Sequence, residues 1–293
     1  MLQNKMDMLS LECLPMASSN FYSNQYAIKL RNFAMRSLWE ELITYPKPGL
    51  VSLVDTGSHS DMNAETFKKS IYSLRHYFFQ MAELGSQDAD FSILKLTGIR
   101  AEQLMLAATG GVNTHRGAIF ILGLLVAAAA YRYKYAISHI SLGDLVVDRW
   151  GSSLLCHRGS PNSHGAQVNQ IYGKCGAVKE VLSGYNSVYQ FAIPVYNSVA
   201  AKTGSVKLAR VQSFFTLMAN VIDTNTLHRG GLSGLVFSQN LAKNFLDAGG
   251  VYRYDWEIAA KEIHAKLVEL KISSGGCADL LGASLFIDKV DNE

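Results

Sequence analysis

The chain has 293 residues, 48% hydrophobic and 17% charged, with a formal net charge of +3 at pH 7. That supplies a sizeable core and sets aside a nucleic-acid binder, which would carry far more positive charge. Cys13, Cys156, Cys175 and Cys277 form no Cys-x-x-Cys pair, so neither a disulfide framework nor a zinc site is expected.

Residues 1–25 read as a poorly ordered N-terminal extension, ahead of one domain over 26–293. The start lacks a basic stretch followed by an apolar core, so no secretory signal is expected and the protein is assigned to the cytoplasm. Tyr26, Leu30, Phe33, Ser37 and Leu38 follow a helical period that Pro46 ends. Phe67, Ile71, Leu74, Phe78 and Met81 form a second stripe. Helix is expected at 98–108 and 117–131. The apolar run Ala118–Tyr131 is interrupted by glycine and too short to span a bilayer, so it reads as a buried helix. Residues 132–162 show no clear pattern, and helix resumes at 165–172. Leu208, Val211, Phe215, Met218 and Ile222 make a third stripe, and 232–247 a further helix. Trp256, Ala260, Ile263, Leu267 and Leu270 make a fourth stripe with Asp255 as N-cap, and the last helix is expected at 277–289. No alternating run suggests a sheet. The expected fold is all-α, a single compact multi-helix domain with glycine-rich ligand-binding loops.

Those loops hold the chemistry. "GGVNTHRGAIF" and "DTNTLHRGGL" each place Asn-Thr, then His-Arg-Gly, before an apolar helix. A helix start offers unpaired N–H groups and partial positive charge to an anion. Gly117, Gly230 and Gly231 let a ligand approach the backbone, and Arg116 and Arg229 suit bidentate contact with phosphate. Asn113, Thr114, His115, Asn225 and His228 complete the two candidate subsites. The competing explanation is that Asn113 or Thr114 and Thr226 are ordinary N-caps. His157–Gly159 repeats His-Arg-Gly without the preceding Asn-Thr and carries little weight. "PKPGLVSLVDTGSHSDM" brings Lys47, Gly49, Asp55, His59 and Asp61 into one loop. Asp55 and Asp61 suit magnesium, and with His59 they suit proton transfer. Asp61 or Asn63 could equally cap the next helix. "SSGGCADLLGASLF" places Gly275, Gly276 and Asp279 at a helix start. Cys277 reads as a small packed residue rather than an activated thiol. "NSHGAQV" adds His164. His76 and His264 lie within amphipathic helices and read as structural or solvated.

These five blocks, in the order they take along the chain, resemble the ATP:dephospho-CoA triphosphoribosyltransferases over about residues 26–288. The resemblance implies an all-α enzyme that moves the 5-triphosphoribosyl group of ATP to the 2′-hydroxyl of 3′-dephospho-CoA and releases adenine. It implies a product with an α-ribosyl linkage, used as prosthetic-group precursor for the acyl carrier protein of malonate decarboxylase or citrate lyase and attached by a separate transferase. Ser52-Leu53-Val54-Asp55 and Arg116 differ from many citrate-type members and point to the malonate-decarboxylase branch. Ser274 and Cys277 depart from the common "SPGGSADLL". For this reaction Asp61, His59, Asp55 and Asp223 are the catalytic candidates, with Mg2+ on Asp55 and Asp61. A homo-oligomer is compatible with these observations. A magnesium-dependent hydrolase of a nucleotide or ADP-ribose-type ligand, or a non-catalytic nucleotide-binding protein, are the alternatives.

Overall fold

The computed structural model describes residues 16–156 and 176–293, and among them every regular element is helical. The helix expected at 165–172, His164 and the third His-Arg-Gly lie outside the described residues.

The centre is α5, Arg116–Lys134, buried almost continuously from Ala118 to Ala130. It packs against α1 (Met16–Leu42), α3 (Arg75–Ser86), α4 (Phe91–Ala108), α6 (Leu142–Leu155) and α12 (Gly275–Asp291). Small residues make this possible. A Cβ on Gly85 would lie 2.1 Å from Ala127 O, so α3 and α5 touch backbone to backbone. Two buried tyrosines find acceptors on α5: Tyr77 Oη donates to Ile119 O and Tyr185 Oη to Ile121 O, each at 2.8 Å. By length and composition α5 could cross a membrane, but 67% of its most apolar window is buried inside the fold, the condition of a core helix.

The second stripe is carried by two helices, α2 (Ala64–Ser73) and α3, which abut at Leu74. α4 begins at Phe91, well before the expected 98, and the unpatterned stretch holds α6, capped by Ser141 Oγ on Asp144 N at 3.0 Å. Sequence pattern did not reveal α7 (Ala177–Leu182), a π-helical turn at Val188–Ala192 or α8 (Ile193–Thr203). α9, Val206–Asn220, stops before Ile222 because Val221 turns to an extended conformation (φ −89°, ψ 139°). α10 runs Thr224–Asp247 and α11 Trp256–Glu269. Asp255 precedes α11 but makes no capping bond, since its carboxylate is held by Arg253 at 2.7 Å.

Candidate active site

The N-termini of α5, α10 and α12 converge on one cavity of about 1200 Å³, above the usual range of about 300–1,000 Å³ for a single small ligand. Its wall collects Lys47, His59, Asp61, Asn113, Thr114, His115, Arg116, Gly117, Asp223, Asn225, His228, Arg229, Gly275, Gly276 and Asp279. Gly49, Asp55, Gly230 and Gly231 lie outside it.

The three helix starts are partly neutralised by carboxylates. Asp223 caps α10 through Oδ1 to Thr226 N and reaches α12 through Oδ2 to Cys277 N, both at 2.8 Å. Asp279 accepts from the Ala118 N–H of α5. Its approach is so close that a Cβ on Gly117 would fall 1.9 Å from Asp279 Oδ2. Arg116 N donates to Asn113 Oδ1 at 3.2 Å, while the N-cap position itself is His115, whose side chain makes no capping bond. With the fourth amide of each helix bonded back to the cap, as Ile119 N is to His115 O and Ala278 N to Ser274 O, the first-turn amides left for a ligand are those of Gly117, Thr224, Gly275 and Gly276.

The two Asn-Thr/His-Arg-Gly segments are alike in sequence and unlike in structure. The first is a loop that ends in a helix N-terminus. The second is already helical from Thr224 and is broken at Gly231 (φ 62°, ψ −165°), a conformation that excludes other residues. The arginines differ accordingly. Arg116 pairs with Glu102 at the cavity wall. Arg229 donates to Ser58 O and Lys271 O and to His59 Nδ1, each at 3.2 Å, and so ties the His59 loop to the end of α11.

That contact fixes His59. Its Nδ1 accepts from Arg229, so its proton sits on Nε2 and donates to Ser273 Oγ at 2.9 Å. Burial, then the Arg229 charge, push its pKa from 6.5 to about 4, so the ring is neutral at pH 7. Asp61 lies 3.7 Å from the same Nδ1 with its side chain 58% exposed. It is not the helix cap: Asn63 caps α2 in a reciprocal pair with Thr66. Asp55 turns from the cavity to His264 Nε2, 3.3 Å away, while His264 Nδ1 accepts from Gly49 N at 3.3 Å. Asp55 and Asp61 thus have different neighbours, and among the described residues no group of three or more His, Cys, Asp or Glu is placed to hold a metal ion.

Lys47 is 1% exposed and ion-pairs with Glu41 at the end of α1, with a further bond to Glu41 O at 2.9 Å. Glu41 was not singled out from sequence, although it lies three positions after Leu38 on the buried stripe of α1. His115 is buried behind Ser70 Oγ, 2.6 Å from Nδ1, with Thr114 Oγ1 donating to the same hydroxyl at 2.6 Å. Burial, then Lys47, lower its pKa to about 3. Cys277 is buried and its thiol is pushed well up by burial and by Asp223, as suits a packed residue.

Residues 27–293 match the family model described as "CitG: ATP:dephospho-CoA triphosphoribosyl transferase". Among curated relatives, a protein of Acinetobacter calcoaceticus is 41% identical over 92% of this chain and 94% of its own. One from Vibrio cholerae serotype O1 (strain M66-2) is 35% identical over 95% and 94%, and one from Pseudomonas fluorescens (strain Pf0-1) is 36% identical over 91% and 93%. Each is named "Probable 2-(5''-triphosphoribosyl)-3'-dephosphocoenzyme-A synthase". No solved structure matches.

Proposed function

The chain belongs to the ATP:dephospho-CoA triphosphoribosyl transferase family, and from that premise we propose how its cavity carries out the transfer of the 5-triphosphoribosyl group of ATP to the 2′-hydroxyl of 3′-dephospho-CoA, with release of adenine. The observation that carries the reading is one large cavity with three helix N-termini at its wall. Two polyanionic substrates must lie side by side, and no phosphate bond is to be broken. Backbone amides and an arginine can hold a phosphate chain without hydrolysing it. We assign one chain to Gly117 and Arg116 at the start of α5, and the other to Gly275 and Gly276 at the start of α12. Arg229 is a scaffold for the His59 loop rather than a second phosphate clamp.

The reacting ribose gains oxocarbenium character as adenine departs, and a carboxylate beside C1′ stabilises it. Asp61 is the water-facing carboxylate of the wall and takes this role, or takes the hydroxyl proton. The β-linked ATP and the α-linked product implied by the family fit a direct inverting displacement. Magnesium fits the donor set in one way. Mg2+ keeps several waters and binds through one or two carboxylates plus substrate phosphates, so Asp61 would hold it on the triphosphate and it would neutralise charge there. The product then passes to a separate transferase that loads an acyl carrier protein, and Arg116 with the Ser52–Asp55 run supports malonate decarboxylase as the recipient.

Incubation with ATP, Mg2+ and 3′-dephospho-CoA followed by mass analysis tests this. One product carrying the ribose and all three phosphates of ATP is expected. ATP hydrolysis without any such adduct would favour the hydrolase reading.

A further inference from the structure

Three carboxyl groups meet at the cavity floor with one buried ammonium between them. Glu41 (4% exposed) holds Lys47 (1%), and Asp223 (3%) bridges α10 and α12. Asp279, one turn along α12, lies deep in the protein yet turns part of its surface to the cavity. The groups facing it are Glu41 from α1, Lys47 from the loop, Asp223 from α10 and the Ala118 N–H of α5. Were all three carboxyls ionised, the floor would hold two uncompensated negative charges, one buried and one only partly exposed, which is costly without a proton or a cation. The protons are not equally placed. Glu41 has its ammonium, and both oxygens of Asp223 accept backbone N–H groups, which offset part of the burial that raises its pKa. Asp279 has one backbone donor and two carboxylate neighbours. Burial, then Glu41, then Asp223, hold its pKa well above the usual carboxylate range.

We propose that Asp279 is a further catalytic residue, the carboxylic acid that protonates a ring nitrogen of the departing adenine. The proposal rests on the transferase reading above. The C1′–N9 bond breaks and its electron pair goes to the purine, while the Asp279 proton moves to N7. The 2′-oxygen of dephospho-CoA bonds to C1′ and releases its proton to solvent, from which Asp279 regains one between turnovers. Gly117 is glycine because the acid sits against the start of α5, where any Cβ would displace it.

Asp279→Asn keeps an acceptor for Ala118 N–H and removes the proton. We expect kcat/KM for adenine release from ATP to fall by about 10²–10⁴, the usual worth of general acid catalysis. With ATP methylated at N7, whose base departs without needing a proton, the variant should lose less than about tenfold. Equal losses on the two nucleotides would overturn the proposal. So would an alkaline fall in kcat that persists in Asp279→Asn, since the wild-type fall is assigned to ionisation of this acid. Failure of the transferase reading looks different: the wild-type enzyme would then release no adenine in the presence of dephospho-CoA.

Discussion

Asp61 carries no capping duty, because Asn63 does that work two residues later. Asp61→Asn should therefore leave the thermal unfolding curve in place and lower adenine release by about 10²-fold or more; near-normal turnover would remove Asp61 from the mechanism. Lys47 is the opposite case. Sequence suggested a phosphate contact, and the structure gives it a buried partner. Lys47→Met should cost about 3–5 kcal/mol in urea unfolding by stranding Glu41, and the Lys47→Met/Glu41→Gln double variant should recover much of it. Weakened ATP binding at unchanged stability would argue for the phosphate role instead. His59 supplies a pH test. Its folded pKa of about 4 lies below the ordinary 6.5, so its contribution is whole above about pH 6.5 and is lost as pH falls toward 4. The full loss is about 3 kcal/mol. Glu41, Asp223 and Asp279 are raised and act with the opposite sign, so the reading is the difference between wild type and His59→Gln. A pH-independent difference would contradict the neutral, Arg229-bound ring.

At the level of elements, helix type was legible wherever one face is buried. The stripes of α1, α2–α3, α9 and α11 each name a real core face. Ends were less legible. Ile222 and Leu270 continue their stripes by spacing alone and are 50% and 52% exposed beyond the helix. α7 and α8 escaped because their apolar residues are interleaved with polar ones around a π-helical turn, which shifts the period. The likeness of the two Asn-Thr/His-Arg-Gly segments does not extend to their backbone, for a different reason. Asp223 starts a helix ahead of the motif and Gly231 breaks it afterwards, so equal residues occupy unequal backbone. Gly231→Ala should accordingly cost about 1–3 kcal/mol in chemical unfolding. It should also raise KM, because the turn it redirects carries Asn225, His228 and Arg229; unchanged stability and kinetics would mean the kink is dispensable.

Across the whole molecule, most of the sequence-derived candidates share one wall although the chain delivers them from four distant stretches. Residue types and the order of the blocks carried that information, since each loop opens or closes a helix aimed at the same cavity. Burial and pairing were not legible: nothing local distinguishes Asp55, which faces His264, from Asp61, which faces the cavity, and Glu41 is hidden among core residues. In this family's reaction the bond between ribose and adenine is cut while the phosphate chain stays whole. The most direct measurement follows adenine, ADP and inorganic phosphate by chromatography in a reaction with purified protein, Mg2+ and ATP, with and without 3′-dephospho-CoA. Adenine should appear only with dephospho-CoA, one for each dephospho-CoA consumed, and neither ADP nor phosphate should rise. ADP or phosphate accumulating in step with dephospho-CoA, without adenine, would contradict the account.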